Sequence, residues 1–410
     1  MSGRLVSALV ALSLILVLST QAAQAQISDT PNLSLDGFGA VGVVHSDEGQ
    51  ADFASNILAR RGAGHTSDWS AEVDSRLGLQ LTANLTPRLS SVVQVISEQR
   101  YDGTYKPTLE WANVKFDVTP DISVRAGRMV QSTFMSSEYR KVGYATPWVR
   151  PPLEVYRMIP VTNFDGLDAS YRSRFGEFTH TLRGTYGKAD ARYRGGGTAE
   201  AREAMGLAST LEWGATTLFA SYGQYRLTIE ELNPFFDYFR LYGPEGEAIA
   251  DRYDVDDKRF QVISLGARYD PGDWFVMGEW ARSDSQTLIG DLRGWFVTGG
   301  VRIGAVTPYV TVARASVTSN LSDLGLSAGA FNPFAAGLNE GLNQILEASA
   351  RQNSLSLGAR WDFAPNLALT AQYDHIDIDD GSWGTLVNHQ PDFEPGGTVN
   401  LFSLALDFVF

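Results

Sequence analysis

Segments in which apolar and polar residues alternate one for one run through this chain, and the links between them alternate too, short then long then short. A period of two marks a strand with one apolar face. Leu355, Leu357, Ala359, Trp361 and Phe363 alternate with Ser356, Gly358, Arg360 and Asp362, and Ala364-Pro365-Asn366 then turns the chain into Leu367, Leu369, Ala371 and Tyr373. Similar turns fall at Thr86-Pro87-Arg88, Thr119-Pro120-Asp121, Ser173 to Gly176, Trp213-Gly214, Asp270-Pro271-Gly272-Asp273 and Gly304 to Val306, where Pro and Gly set the turn dihedrals. Longer, polar, Gly-rich links fill residues 45–68, 101–107, 129–164, 188–203, 228–258, 283–291, 316–352 and 377–397. A soluble sandwich needs no such two-sided rule, whereas a membrane barrel with tight turns on one rim and long loops on the other does. The pattern predicts an all-β chain, a transmembrane antiparallel β-barrel of about 16 strands with both termini on the short-turn side.

The same alternation says which side is wet. Val73, Leu77, Leu79 and Leu81 oppose Glu72, Asp74, Arg76, Gln80 and Thr82, and charges this dense must face water. Because the other face is continuous hydrocarbon, the water lies inside and the lipid outside. A mean hydropathy of -0.13 fits, since the two faces cancel. Tyr171, Trp213, Tyr269, Trp274, Trp280, Trp295, Trp361 and Tyr373, near strand ends, read as membrane-interface aromatics.

At the N-terminus Arg4 precedes an apolar run from Leu5 to Leu18, followed by Ala23-Gln24-Ala25. The run is shorter than the ~20 residues of a spanning helix, and the small residues suit a signal peptidase, so residues 1–25 read as a signal peptide and 26–410 as the barrel. Its removal leaves 385 of the 410 residues. With no cysteine there is no disulfide framework. A formal charge of -14 argues against nucleic-acid binding through a basic surface.

The last strand sets Asn400, Phe402, Leu404, Leu406, Phe408 and Phe410 on one face, and a long third loop follows Arg125-Ala126-Gly127-Arg128. That loop contains Pro147-Trp148-Val149-Arg150-Pro151-Pro152-Leu153-Glu154-Val155-Tyr156 and re-enters a strand at Asp165-Gly166-Leu167-Asp168. On these residues the mature chain resembles the Gram-negative general porin superfamily. The resemblance implies an outer-membrane homotrimer of sixteen-stranded barrels and a loop, residues 129–164, that folds inward as a constriction. It implies that Phe410 is the insertion signal read by the barrel-insertion machinery after escort by periplasmic chaperones. Outer-membrane lipid, lipopolysaccharide and small hydrophilic solutes are the partners it implies. Arg76, Arg125, Arg128, Glu138, Arg140, Lys141, Arg150, Glu154, Arg157, Asp168, Arg183 and Arg360 are the expected pore-lining and constriction residues. Leu35, Gly37, Gly39, Val41 and Val43 share one face of the first strand, and small outward residues there suit close approach of neighbouring barrels.

Other constellations are weaker. His45, His65, His180, His375 and His389 sit in no recognisable nucleophile motif, so no enzyme and no cofactor is expected. Asp374-His375-Ile376-Asp377-Ile378-Asp379-Asp380 lacks the Gly and terminal Glu of a calcium loop and reads as a solvated acidic loop. Loop acids remain available to bridge through divalent cations to lipopolysaccharide phosphates. Leu338, Leu342, Ile345 and Leu346 have helical spacing and predict a short helix within residues 325–351. The leading function is passive diffusion, with a substrate-selective channel of the same fold and a plugged adhesin barrel as alternatives. Residues 228–258 carry nine acids against three bases, and 377–397 add five acids and no base, so the outer mouth is expected to be negative. The constriction loop is expected to be positive and, being less screened, to decide which ions pass, with weak selectivity whose cation preference is largest at low salt and shrinks as the mouth is screened.

Overall fold

The computed structural model describes residues 32–193 and 196–410; residues 1–25, expected to be a signal peptide, lie outside them. Sixteen long strands form one antiparallel sheet that closes on itself. They are β1 Asn32–Ser46, β2 Arg76–Thr86, β3 Leu89–Glu98, β4 Thr108–Asp117, β5 Ile122–Val130, β6 Asn163–Phe175, β7 Phe178–Arg192 and β8 Thr198–Trp213. The second half comprises β9 Thr216–Ile229, β10 Lys258–Tyr269, β11 Trp274–Ser285, β12 Leu292–Val301, β13 Val306–Val317, β14 Gln352–Ala364, β15 Leu367–Ile378 and β16 Gly397–Val409. Each pairs with its sequence neighbours, and β1 closes the barrel by pairing with β2 (Asn32↔Asn84 to Ala40↔Arg76) and with β16 (Phe38↔Val409 to Ser46↔Leu401). Closure leaves no free sheet edge, the condition for placing strands in lipid.

Strict alternation produces the two faces. Leu77, Leu79, Leu81, Leu167, Leu207, Leu265, Val297, Val312 and Leu357 are exposed on the outside, while Thr298, Thr311, Ser264, Thr370 and Ser403 are buried inside. Short turns join the strands at one rim, with Gly176 (φ 61°), Gly214 (φ 51°) and Asn366 (φ 64°) supplying left-handed backbone. At this rim Tyr171, Trp213, Tyr269, Trp274 and Trp361 cluster, with ring centroids 5.4 Å apart for Tyr269–Trp274 and 5.6 Å for Phe178–Trp213. Trp280 and Tyr373 stand in the middle of β11 and β15, away from the strand ends where the sequence reading put them, while Trp295, the cross-strand partner of Trp280, lies three residues from the start of β12.

The long loops hold the remaining elements. Loop residues 131–162 include a 3-10 turn at Gly143–Ala145 and one α-helical turn, α1 Leu153–Tyr156. Outside the membrane region, α2 Asn233–Arg240, α3 Pro244–Tyr253 and α4 Pro333–Glu347 pack together through Phe236, Phe239, Ile249, Leu338, Leu342 and Leu346. The expected helix is therefore α4, started by Asn332, whose side chain accepts from the backbone N–H of Phe334 (2.9 Å) and Ala335 (3.4 Å).

Several expected loop boundaries shift, Ser283, Asp284 and Ser285 for example belonging to β11. Residues 188–203, read as a loop, belong mostly to β7 and β8, which continue pairing from Ala189↔Ala201 to Arg192↔Thr198 after a bulge. Met129, Val130, Asn163 and Phe164, placed in the third loop, are strand residues paired with one another. The reason given for close barrel contact also changes: the ring of Phe410 lies on Gly37 and that of Phe408 on Gly39, so the chain covers these glycines itself. The main chain of Phe410 exchanges two hydrogen bonds with Gly37, 2.8 and 2.9 Å, which fastens the last residue to the first strand.

Candidate functional site: the lumen and its loop

Loop 131–162 starts and ends on one strand pair, with Gln131 N–H donating to the Thr162 carbonyl at 3.0 Å, and spends the interval against inward-facing side chains around the barrel. On the β10–β13 side the contacts are mostly apolar. Phe134, Trp148, Val155, Tyr156 and Ile159 form one core with the inward residues Phe260, Phe275, Phe296, Tyr309 and Ala313. Polar groups within that core are paired. The Trp148 indole N–H points between Thr298 Oγ1 (3.0 Å) and Thr311 Oγ1 (3.1 Å). Glu279 accepts from Met135 N–H (2.8 Å), Tyr156 O–H (2.9 Å) and Ser264 O–H (2.5 Å).

On the β14–β16 side ions take over. Arg150 is 5% exposed, donates to both oxygens of Asp74 (3.0 and 2.6 Å), to Asp374 (3.2 Å) and to Ser403 (2.6 Å), and its guanidinium sits 4.9 Å from the Phe53 ring centroid. Burial works against its charge, but these carboxylates push its pKa well above the ordinary arginine value. Arg360 donates to the Thr146 carbonyl (2.8 Å) and lies over Tyr144. On the β3–β4 side Lys141 bridges Glu98 (2.6 Å) and Glu110 (3.0 Å); burial lowers its pKa, and the two carboxylates more than restore it. Glu138 pairs with Arg183 of β7, which also donates to Ser132 at 2.7 Å.

Between the loop and β2–β3 a cleft of about 110 Å³ remains, lined by Arg76, Glu98, Arg140, Lys141, Arg150 and Arg157 among others. Two of its five bases are neutralised as described. Arg76, Arg140 and Arg157 make no ion pair among the described residues. Arg140 reaches only the Ile159 carbonyl (3.3 Å), and Arg157 Nε is buried without a hydrogen-bond partner. Burial lowers both pKa values, that of Arg157 to about 10, which leaves each a cation at neutral pH.

The expected residues therefore divide. Arg76, Arg140, Lys141 and Arg157 line the cleft. Arg150 also borders it, but as a buried tie and not as a charge offered to the lumen. Glu154 is buried, accepting from Gln352 at 2.7 Å and from Ser354. Arg125, Asp168 and Arg183 form an inward network on β5–β7, with Arg125–Asp168 at 2.7 Å. Arg128 does not belong with them: it shares the outward parity of Ile122 and Val124 and pairs at 2.6 Å with Asp165, of the same parity as exposed Leu167. The acidic run also resolves by parity, Asp374 turning inward to Arg150 while Asp379 lies 3.5 Å from Arg314. Sequence reading missed Asp74 and Asp374 as the partners of Arg150: alternation put Asp74 on the wet inner face without saying what it meets, and Asp374, read as part of a solvated loop, is instead a buried strand residue.

No family model and no curated protein matches this chain. Solved structures do. The outer membrane channel DcaP of Acinetobacter baumannii superposes with a TM-score of 0.57 at 10% identity over 95% of this chain and 100% of that one. Salmonella typhi OmpF, in a complex with daunomycin, gives 0.54 at 12% identity over 94% and 100%. An anion-selective porin from Comamonas acidovorans gives 0.53 at 14% identity over 93% and 100%. The likeness is one of fold: this chain has the closed sixteen-stranded barrel of the porins.

Proposed function

We propose that this barrel spans a Gram-negative outer membrane as a water-filled pore for passive diffusion of small hydrophilic solutes, and that its narrow zone favours anions. The apolar outer belt and closed sheet support the membrane placement. The observation that carries the anion preference is the set of three arginines, Arg76, Arg140 and Arg157, which line the cleft and make no ion pair among the described residues, while Glu98, the acid in that lining, is bound to Lys141. Fixed positive charge in a narrow, weakly screened passage raises the local anion concentration and repels cations. The acidic outer mouth opposes this less than its composition implies. Asp254 is bound by Arg240 (2.6 Å) and Lys258 (2.7 Å), and Asp257 by Arg226 (2.6 Å), so part of the negative charge is already compensated.

The reversal potential across a planar bilayer under a potassium chloride gradient tests this reading. Chloride preference is expected, and changing Arg76, Arg140 and Arg157 together to Gln should move the potential toward cations. An unmoved potential at every salt concentration means these side chains do not line the conducting path. The molecule is read as a homotrimer through the face bearing Leu33, Leu35, Val41, Trp69 and Phe402, all exposed on one barrel. A single monomeric species in mild detergent, with no slower band before heating, contradicts that.

A further inference from the structure

At the outer end of the cleft the lumen changes character. A cavity of about 350 Å³ opens between loop 131–162 and the inner faces of β7–β10, within the size range of small-molecule sites. Its wall is almost wholly apolar, with Ala199, Tyr225, Leu227 and Phe260 from the barrel and Ile159 from the loop. The Tyr225 and Phe260 rings stack at 4.8 Å and 16°, giving a flat apolar surface. Arg157 is the one charged residue in the lining, and it also lines the cationic cleft, so it stands where the two spaces meet.

Neither feature helps a pore that only passes hydrated ions. An apolar wall wets poorly, and apolar surface left against water is unfavourable. The Arg157 guanidinium has its Nε buried without an acceptor, a desolvation cost that the charge of nearby Glu154 offsets only in part. A solute with an anionic head and an apolar body relieves both at once. Its oxygens satisfy Arg157, and its body covers the wall.

We propose that this cavity is a binding site for amphipathic monoanions, carboxylates carried on an apolar chain or ring, with the carboxylate at Arg157 and the body along Leu227 and Phe260. The proposal rests on the pore reading only for how the solute arrives, and it narrows the solute class that the channel favours.

The test uses the refolded barrel in lipid nanodiscs, with empty nanodiscs as the blank, and titration calorimetry with acetate, butanoate, hexanoate and octanoate. Affinity is expected to rise by roughly 2- to 4-fold for each methylene that enters the cavity. Octanamide and octyltrimethylammonium, of similar length but without the negative charge, should bind at least ~10-fold more weakly than octanoate. Arg157→Gln should reduce octanoate affinity by a similar factor while keeping the chain-length slope, and Leu227→Asn should flatten the slope. Equal binding of acetate and octanoate by the unaltered protein overturns the proposal, as does equal binding of octanoate and octyltrimethylammonium. In a planar bilayer, octanoate should block chloride current at concentrations where acetate does not. A barrel that binds octanoate but never conducts refutes the pore reading and leaves the site standing, whereas a conducting barrel without the preference for octanoate refutes the site alone.

Discussion

Along β10 to β13 the lumen wall presents Phe260, Phe275, Phe296 and Tyr309 to the loop, whereas along β2 to β4 and β14 to β16 it presents Arg76, Glu98, Glu110, Arg360, Asp374 and Asp407. One loop meets both walls, by different physics. On the first it is held as a protein core is, by buried apolar area and a few satisfied hydrogen bonds. On the second it is located by charge pairs whose geometry fixes position, since a buried pair broken on one side leaves an expensive orphan. Water-accessible charge is left where neither device is complete, in the cleft beside Arg76, Arg140 and Arg157. The loop therefore divides the lumen unequally: it packs onto the apolar wall, and the cleft left beside it borders the polar one.

The largest expected effect breaks the ionic side. Arg150→Ala leaves Asp74 and Asp374 buried and unpaired, and should cost about 3–5 kcal/mol in denaturant unfolding of the folded barrel. Combining Arg150→Met with Asp74→Asn and Asp374→Asn should recover most of that. A single Arg150 variant as stable as the parent would mean the pair does not anchor the loop.

On the apolar side, Trp148→Ala removes the largest side chain in the loop's core. Thr298 and Thr311 still bond each other at 2.8 Å, so the loss is mainly burial, about 3 kcal/mol. A cost below ~1 kcal/mol would show that this wall is not packed as a core.

How much of this was legible beforehand follows from range. Strand alternation and Pro- or Gly-marked turns are local, so the barrel, its sidedness and α4 could be read from neighbours in sequence. The partners of Arg150 lie 76 and 224 residues away, and no local pattern announces them. Arg128 was misplaced because Gly127, at φ 124°, sits beside it in a motif read as one block, although strict parity from Ile122 already put residue 128 outside. Helices α2 and α3 were hidden by their charge: the acids of residues 228–258 drew attention from Phe236, Phe239 and Ile249, whose spacing gives each helix an apolar face. Apart from the Gly triplet at residues 195–197, the segment 188–203 has few turn residues, and its alternating alanines were the unused sign of continuing strands.

The smallest expected effect sharpens the polar side. Burial holds the Arg157 pKa at about 10, so the side chain is charged below that pH and neutral above it. Chloride preference should therefore fall modestly as pH is raised through about 10, by a step that Arg157→Gln lacks. The same step in that variant would assign it to another group.

On the proposed function, loop 131–162 occupies the lumen and sets the size of the passage. Single-channel conductance after deletion of residues 138–156, with the ends rejoined by a short Gly-Ser link, tests it most directly. The deletion removes Trp148 and Arg150, the tie to each wall, and conductance should rise several-fold with loss of the anion preference. A correctly folded deletion barrel that conducts as the parent does, with the same reversal potential, would contradict the account.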